Sequence, residues 1–304
     1  MKIVGTVDEL RDLLRPARRS ERTIGLVPTM GALHEGHLSL IRQAREQCEV
    51  VVMSLFVNPA QFEEPADLDA YPRDHARDGE LAAGVGVDYL FAPGVEEVYP
   101  QGFTSRVSVS GVTEPLEGQH RGTAHFEGVT TVVAKLFNMV QPDVAYFGQK
   151  DAQQAVVIRR LALDLDFAVR IEICPTVREP DGLAMSSRNE RLSPSDRRRA
   201  TALHRALRAA AEAIASDERT TGTVIAAAMA ELENVELDYF ELVNPDTLAP
   251  VGERIDGGEV LAVVAARVGA TRLIDNQSIQ VPSTSDGEQA GSAKQEVLHC
   301  SARC

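Results

Sequence analysis

The sequence predicts an α/β protein in which a first domain with a parallel sheet is followed by a smaller α+β domain. Two observations support this prediction. Over the first part of the chain, short continuous apolar runs alternate with segments of helical periodicity, which is typical of strands buried on both faces of a parallel sheet. After about residue 177 the order changes to two alanine-rich helical segments and then three strand-like segments, which indicates a separate α+β unit.

The elements of the first domain follow one another in a regular order. We predict strands, from their apolar runs, at 23–28, 51–59, 87–93, 143–148 and 168–177. We predict helices, from apolar residues at helical spacing, at 35–47, up to about residue 84, at 126–140 and at 151–165. The alternating segment 105–111 predicts a small hairpin element, and the long loop that begins with "NPAQF" at residue 58 predicts a functional connection.

The second domain contains helices first and strands later. A Ser-Pro start predicts a helix over 193–216, a second helix follows at 222–234, and strand-like segments begin at residues 236, 259 and 271. The predicted domains are therefore 1–177 and 178–282. Residues 283–304 lack a hydrophobic pattern and predict a disordered tail. Its His299, Cys300 and Cys304 could hold a metal, although free thiols on a disordered end are the simpler interpretation.

Composition excludes several classes of protein. The chain has 304 residues and a net charge of −14, which disfavours nonspecific nucleic-acid binding, although a local positive cluster can still hold a phosphate compound. No apolar run approaches the roughly 20 residues that span a bilayer, and the N-terminus lacks a signal core. Four scattered cysteines are typical of a reducing compartment. We therefore expect a cytoplasmic protein that binds neither nucleic acid nor a membrane.

The stretch "PTMGALHEGH" places His34 and His37 between the first predicted strand and the first predicted helix. In a parallel sheet this is the carboxyl edge, where ligands bind, and a helix start favours phosphate. The two imidazoles lie on one side of the first turn, and Gly36 lets a ligand approach the backbone. Nucleotide phosphates are the favoured ligand. A zinc pair and a packing role for the histidines stay open as alternatives, but no further zinc ligand has suitable spacing.

Two further segments supply cations, since the sequence contains neither a Walker phosphate loop nor a G-x-G-x-x-G motif. "YFGQKDAQQ" follows a strand and offers Lys150 and, one helical turn later, Gln154. "GLAMSSRN" offers two hydroxyls and Arg188 in a loop that could close over a triphosphate. Taken singly, each segment is more typical of an ordinary surface turn.

In this order, "PTMGALHEGH", "FVNPAQF", "YPR", "YFGQKDAQQ" and "GLAMSSRN" resemble the motifs of the pantoate–β-alanine ligase (pantothenate synthetase) family, over about residues 3–281. The resemblance implies a Rossmann-like nucleotide-binding domain, a smaller C-terminal α+β lid domain and a homodimer. It also implies the activity, a ligase reaction of coenzyme A precursor synthesis. In the implied reaction, the pantoate carboxylate attacks the α-phosphate of ATP, which Mg²⁺ accompanies, to give pantoyl adenylate and pyrophosphate. β-Alanine then displaces AMP to give pantothenate.

The resemblance also assigns site residues by their positions in this sequence. It implies four catalytic residues, with His37 as proton donor: His34, His37, Lys150 and Arg188. The ATP site it implies comprises Met30, Gly31, Ala32, Leu33, His34, Glu35, Gly36, His37, Gly148, Gln149, Lys150, Asp151, Val177, Met185, Ser186, Ser187 and Arg188. Gln61 and Gln154 are implied to bind pantoate, Gln61 also β-alanine, and Asp78 matches a region linked to metal. The segments that resemble walls of the family site contain Asn58, Tyr71, Arg121 and His125.

Three other functions remain to be weighed at this point. A plain nucleotidylyltransferase would stop after moving a nucleotide, but "NPAQF" and "QKDAQQ" indicate a pocket for a hydroxy acid. A non-catalytic nucleotide-binding protein would not require His37, Lys150 and Arg188 together. A metal-dependent hydrolase would lose activity when transition metals are removed.

Overall fold

The computed structural model describes residues 1–62, 68–69 and 71–282. The chain divides into two compact units, Met1–Leu192 and Ser193–Cys304. The first unit therefore extends beyond the predicted boundary at residue 177. The segment that follows folds back on itself, because the Met185 N–H donates to the Val177 carbonyl at 3.0 Å. The predicted tail at 283–304, with its histidine and two cysteines, lies outside the described residues. The separate roles assigned to the two domains stay a prediction.

Six parallel strands form the sheet of the first unit, which confirms the predicted fold class. Their order across the sheet is β1-β4-β3-β2-β5-β6, and each neighbouring pair is parallel. Their bounds are β1 Lys2–Val4, β2 Ile24–Thr29, β3 Val50–Leu55, β4 Tyr89–Phe91, β5 Val144–Gly148 and β6 Arg170–Cys174. β3 is shorter than predicted because Asn58 caps a 3₁₀ helix at Pro59–Gln61, where its side chain accepts the Ala60 N–H.

Helices cover both faces of this sheet. They are α1 Val7–Arg19, α2 Glu35–Gln47, α3 His75–Gly84, α4 Val95–Val98, α5 Glu117–Val140 and α6 Ala152–Asp164. Residues of α1, α5 and α6 share one hydrophobic cluster with Leu26, Val52 and Ala145 of the strands. Residues of α2 and α3 share the other cluster with Val27 and Met53. Successive strand residues thus pack against opposite layers, as the continuous apolar runs predict.

The N-terminal strand β1 and helix α1 were not predicted. The charged residues of α1 hide a regular apolar stripe, since Leu10, Leu14 and Ala17 are its buried residues. A local signal was also present: the Thr6 side chain accepts the N–H of Glu9 at 3.3 Å, which is the helix-cap pattern of a threonine followed by glutamate three residues later. The sequence therefore contained enough information to place α1.

The hairpin predicted at 105–111 is wrong, because this segment contains no strand. Its backbone instead bonds to helix α5. The Val107 N–H donates to Thr131 Oγ1 at 3.0 Å, and the Thr130 hydroxyl donates to the Val107 carbonyl. The alternating valines pack against the core as predicted for a strand, but side-chain hydroxyls take the place of a partner strand. Helix α5 also begins nine residues before the predicted start at 126, with a break in helical geometry at Gly122.

The second unit is a three-stranded antiparallel sheet with helices. The strands are β7 Glu236–Val243, β8 Gly258–Val268 and β9 Thr271–Val281, in the order β7-β8-β9. The helix predicted at 193–216 is divided at Thr201 into α7 Pro194–Ala200 and α8 Ala202–Ala215. Helix α9, Thr221–Met229, is shorter than the predicted 222–234 because a 3₁₀ turn follows it. In the described part of the chain, no helix combines the length and apolar character needed to cross a membrane.

Candidate active site

The topology of the first sheet creates a crevice beside β2. The chain leaves β2 for β3 and β4 on one side, and it later adds β5 and β6 on the other side. Loops that leave the carboxyl ends of β2 and β5 therefore diverge, and such a switch point is where parallel α/β sheets bind ligands. The β2 loop leads to His34 at the start of α2, and the β5 loop carries Lys150 in a 3₁₀ helix at Gln149–Asp151. The fold thus brings the predicted phosphate segments to adjacent strands.

The two histidines cap helix α2 with their own rings. His34 is the N-cap residue, and its Nδ1 accepts the Gly36 N–H at 3.2 Å. His37 Nδ1 accepts the His34 N–H at 3.3 Å, so the pair closes a reciprocal capping box. The ring centroids lie 4.2 Å apart. Glycine at position 36 leaves room for the His34 ring in this position, because a Cβ there would lie 2.9 Å from His34 Nδ1. The group that approaches this glycine is therefore His34 itself.

These contacts determine which imidazole nitrogen carries the proton. Because Nδ1 accepts a backbone N–H in both rings, each neutral ring carries its proton on Nε2 and presents it as a donor. Burial, the neighbouring His34 and Lys150 lower the pKa of His37 to about 3. Burial and Lys150 also lower the pKa of His34. Both histidines are therefore neutral hydrogen-bond donors at neutral pH in the free protein.

Cationic side chains gather beside the histidines. Lys150 Nζ lies 3.6 Å from Asp151 Oδ1, and the lysine side chain is only 17% exposed. Burial lowers the pKa of Arg188, and the positive charge of Arg121 lowers it further. Burial acts to raise the pKa of Asp151, but Lys150, Arg188 and Arg121 outweigh burial and hold it below its ordinary value. This concentration of positive charge favours an anionic ligand.

The segment that carries Arg188 follows β6 at the same edge of the sheet. Its 3₁₀ helix at Ser187–Arg191 is capped by Ser186, whose Oγ accepts the Arg188 N–H at 3.2 Å. The Asn189 side chain donates to the Ala184 carbonyl at 3.0 Å and is buried. A Cβ added at Gly36 would lie 3.8 Å from Met185 Cβ. Met185 of this segment therefore lies beside the start of the histidine helix α2.

Gln61 lies in a hydrogen-bonded network after β3. Its Nε2 donates to Met30 Sδ at 2.8 Å, and Asn58 Nδ2 donates to Gln61 Oε1 at 3.1 Å. Tyr99 donates its hydroxyl to Asn58 Oδ1 at 2.8 Å. His125 Nδ1 lies 2.8 Å from the Gln61 carbonyl, which makes Nδ1–H the donor there. Met30 thus connects the histidine loop to the predicted pantoate residue.

Helix α5 packs closely against the segment that carries Gln61. A Cβ added at Gly128 would lie 2.3 Å from the Ala60 carbonyl oxygen, a distance that no side chain can occupy. The Gly128 carbonyl also accepts the Asn58 amide at 3.0 Å. Gly128 was not predicted to matter for the site. A glycine inside a helical pattern was the signal that could have identified this close backbone contact.

The two neighbouring glutamines of α6 have different environments. Gln153 is buried: its Oε1 accepts the Glu117 N–H at 2.9 Å, and its Nε2 donates to the carbonyls of Val112 and Pro115. Gln154 is half-buried, and its amide makes no hydrogen bond within the described ranges. Gln153 therefore has a structural role, whereas Gln154 retains donors and an acceptor for a ligand. Pantoate binding by Gln154 stays a prediction.

Two of the predicted site residues, Glu35 and Asp78, direct their carboxylates at other groups of the protein. Glu35 is exposed and pairs with Arg42, with Oε2 3.2 Å from Arg42 Nη2. Asp78 is 1% exposed, and its two carboxylate oxygens accept the N–H groups of Ala32 and Leu33 at 3.0 and 2.8 Å. Over residues 1–62, 68–69 and 71–282, no cluster of three or more His, Cys, Asp or Glu side chains could hold a metal ion. Metal binding by Asp78 stays a prediction.

Comparisons with known proteins identify the family of this chain. A family model described as pantoate-beta-alanine ligase matches residues 2–278. Pantothenate synthetase 1 of Bradyrhizobium diazoefficiens is 54% identical over 277 residues, which are 91% of this chain and 97% of the relative.

Two solved structures share the fold. Pantothenate synthetase from Thermus thermophilus has a TM-score of 0.85 and 47% identity, over 91% of this chain and 99% of that chain. A Francisella tularensis pantoate-beta-alanine ligase, described as complexed with beta-gamma ATP and beta-alanine, has a TM-score of 0.73 and 33% identity, over 91% and 97% of the two chains. The model match, the identity and the shared fold agree, and the chain belongs to the pantoate–β-alanine ligase family.

Proposed function

We propose that this chain is an ATP-dependent ligase that joins pantoate to β-alanine through a pantoyl adenylate, giving pantothenate, AMP and pyrophosphate. The observation that carries the proposal is the convergence of two neutral imidazole N–H donors with Lys150 and Arg188 at one edge of the sheet. Family membership supports the same activity.

The first step joins two anions, so its barrier is largely electrostatic. A pantoate carboxylate oxygen forms a bond to the α-phosphorus of ATP, and the bond from that phosphorus to the pyrophosphate oxygen breaks. Lys150 and Arg188 supply positive charge that is already in place before the reaction. The Nε2–H groups of His34 and His37 donate to phosphate oxygens. Because an anion next to an imidazole raises its pKa, bound triphosphate also prepares His37 to act as a proton donor.

The second step breaks the mixed anhydride. The amine of β-alanine attacks the acyl carbon, the bond from that carbon to the AMP oxygen breaks, and the amine releases a proton. Gln61 and Gln154 hold the pantoyl group, because amides bond to hydroxyls and carboxylate without adding charge. The segment with Met185, Ser186, Ser187 and Arg188 shields the phosphates from water, which would otherwise hydrolyse the adenylate.

Mg²⁺ enters this proposal as part of the ATP substrate. The described residues offer no multi-ligand metal cage, and Mg²⁺ commonly binds through substrate phosphates with one or two carboxylates. The carboxylate beside the phosphate-binding lysine is Asp151, with Oδ1 3.6 Å from Lys150 Nζ. This donor set fits an ion that the nucleotide carries in, and the ion would neutralise phosphate charge.

Pyrophosphate release tests the activity. The purified protein is mixed with ATP, Mg²⁺ and pantoate, first without and then with β-alanine. We expect a burst of pyrophosphate equal to the enzyme concentration in the first case, and sustained AMP formation only in the second. A nucleotidylyltransferase would give no amide product, and a binding protein would give no pyrophosphate. Absence of pyrophosphate under both conditions would overturn the proposal.

We also propose that the enzyme acts as a cytoplasmic homodimer that engages only small-molecule substrates. Family resemblance supports the dimer, and the composition supports the compartment. Light scattering coupled to size-exclusion chromatography tests the dimer, for which a mass near twice the 32.9 kDa of one chain is expected.

A further inference from the structure

We propose that Asp78 is a positioning residue that holds the histidine loop in its active geometry and does not bind metal. This inference rests on the proposed function of the histidine site. Asp78 lies in the first turn of α3, outside the segments that carry the phosphate-binding groups. It nevertheless contacts the loop that leads from β2 to His34, because both of its oxygens accept backbone N–H groups of that loop.

The geometry of the loop explains why it needs an anchor. Gly31 and Ala32 both have positive φ values, 90° and 52°. The second is unfavourable for a residue with a side chain, so the loop requires compensating contacts. Consecutive N–H groups in such a turn face the same direction and form an anion-binding concavity. The Asp78 carboxylate occupies this concavity, 3.0 Å from the Ala32 nitrogen and 2.8 Å from the Leu33 nitrogen.

The Asp78 carboxylate is shielded from water, so it depends on the two loop N–H groups for its hydrogen bonds. Asp78 is 1% exposed, and among the described residues no lysine or arginine forms an ion pair with it. The two N–H donors therefore compensate for the loss of water around the carboxylate. A Cβ added at Gly31 would lie 2.8 Å from Asp78 Oδ2, so the anchor and the loop fit each other without spare room.

The anchor, meaning the Asp78 carboxylate with the N–H groups of Ala32 and Leu33, affects the histidines through the backbone of the loop. Leu33 directly precedes His34, whose N–H donates to His37 Nδ1. A shift of the loop therefore changes the hydrogen bond that fixes the His37 ring and its proton on Nε2. A carboxylate with both oxygens occupied in this way, in a buried position, is a poor candidate for the metal role that the resemblance suggests.

Asp78→Asn tests the assignment, with Asp74→Asn as its matched control. The asparagine amide would place an NH₂ group against one of the two N–H donors and remove an acceptor. Asp74 lies in the same helix start, but it is exposed and accepts the Arg77 N–H at 3.0 Å instead of a loop N–H. Both variants remove one negative charge. Pyrophosphate release, the Mg²⁺ concentration needed for half-maximal rate, and the imidazole nitrogen signals of His34 and His37 by NMR are measured for each.

We expect Asp78→Asn to slow pyrophosphate release by about 100-fold, which is what a misplacement of a catalytic group by about 1 Å can cost. In the free protein, its His37 signals should move from the pure Nε2–H form toward a mixture, with an unchanged Mg²⁺ requirement. Asp74→Asn should match the original protein. A raised Mg²⁺ requirement with unchanged histidine signals would show a metal ligand and overturn the inference. So would unchanged signals with an unchanged rate.

If Asp78→Asn does not fold, a second variant, Gly31→Ala, tests the positioning role of Asp78. Gly31→Ala keeps the charge but places a Cβ against Asp78 Oδ2 and strains the loop at a residue whose φ is 90°, so the loop and the carboxylate must move apart. The same change in the histidine signals is expected. The NMR measurement needs no substrate and is therefore independent of the proposed reaction. If the histidines shift in a protein that never releases pyrophosphate, the anchor is correct and the proposed function is wrong.

Discussion

Gly36→Ala should displace the His34 ring and slow the reaction while leaving the stability of the fold nearly unchanged. A Cβ at residue 36 would lie 2.9 Å from His34 Cε1 and Nδ1, while the backbone φ there is not positive. Because carbon atoms in contact normally lie about 3.5–4.0 Å apart, the ring must move by roughly 0.6–1.1 Å. A displacement of about 1 Å in a catalytic group costs about 100-fold in rate. We therefore expect pyrophosphate release to fall by about two orders of magnitude.

Stability should change little in the same variant. Alanine in place of glycine favours a helix by about 0.5–1 kcal/mol. Loss of the hydrogen bond from the Gly36 N–H to His34 costs about 0.5–1.5 kcal/mol. The two effects nearly cancel, and the free energy of unfolding should stay within about 1 kcal/mol of the original value. Urea unfolding and the rate of pyrophosphate release are measured on the same preparation.

Gly222→Ala is the matched control. Gly222 is also the second residue of its helix, α9, and a Cβ there would meet no heavy atom within 4 Å. This variant should keep the full rate. If Gly36→Ala also kept the full rate, the position of the His34 ring would be irrelevant to adenylation and the reasoning would fail. A large loss of unfolding free energy in Gly36→Ala would show instead that the ring cannot move.

Three further predictions concern other parts of the site. Gly128→Ala should lower the free energy of unfolding by about 1–3 kcal/mol or more, because its Cβ would lie 2.3 Å from the Ala60 carbonyl oxygen; unchanged urea unfolding would contradict this close packing. Gln154→Ala should raise the KM for pantoate without loss of stability. Gln153→Ala should instead lower the free energy of unfolding by about 1–3 kcal/mol, because it leaves buried backbone groups unpaired. Steady-state kinetics and urea unfolding distinguish the two variants. His37 titrates near pH 3 in the folded protein and near its ordinary pKa of about 6.5 when unfolded. The unfolded chain therefore binds more protons between these values, and stability should fall as the pH is lowered from about 6.5 to 3, less so in His37→Gln; NMR titration that finds His37 charged at pH 5 in the free protein would refute this.

The parts of the fold that the sequence predicted are those with a strong local pattern. Helix α2 was predicted at 35–47 and lies at Glu35–Gln47, because its apolar positions and its start are both encoded locally. The segment 105–111 was mistaken for a strand because alternation reports which side chains are buried, not what the backbone bonds to. The hydroxyls of Thr130 and Thr131 that replace a partner strand lie more than twenty residues away.

In the site, too, locally encoded features could be predicted from the sequence, whereas contacts between distant residues could not. Placing His34 and Lys150 at the carboxyl edge required only the order of strands and helices. Distinguishing Gln153 from Gln154 required knowledge of which face of α6 meets the segment before α5. The contact of Asp78 with Ala32 and Leu33 joins residues 46 and 45 positions apart, respectively, and no local pattern reveals such a pair. The signal that was available in the sequence was Gly31 itself, because a glycine after a strand indicates a turn but not its partner.

The central claim is that the carboxylate of pantoate attacks the α-phosphorus of ATP in this site. Pantoate that carries a heavy oxygen isotope in both carboxylate oxygens tests it most directly, with the AMP product analysed by mass spectrometry after complete turnover with β-alanine. One carboxylate oxygen stays in the amide and the other leaves with the phosphate, so we expect one heavy oxygen in each AMP. Unlabelled AMP would mean that water or another group attacked the phosphorus, and the adenylate mechanism would be contradicted.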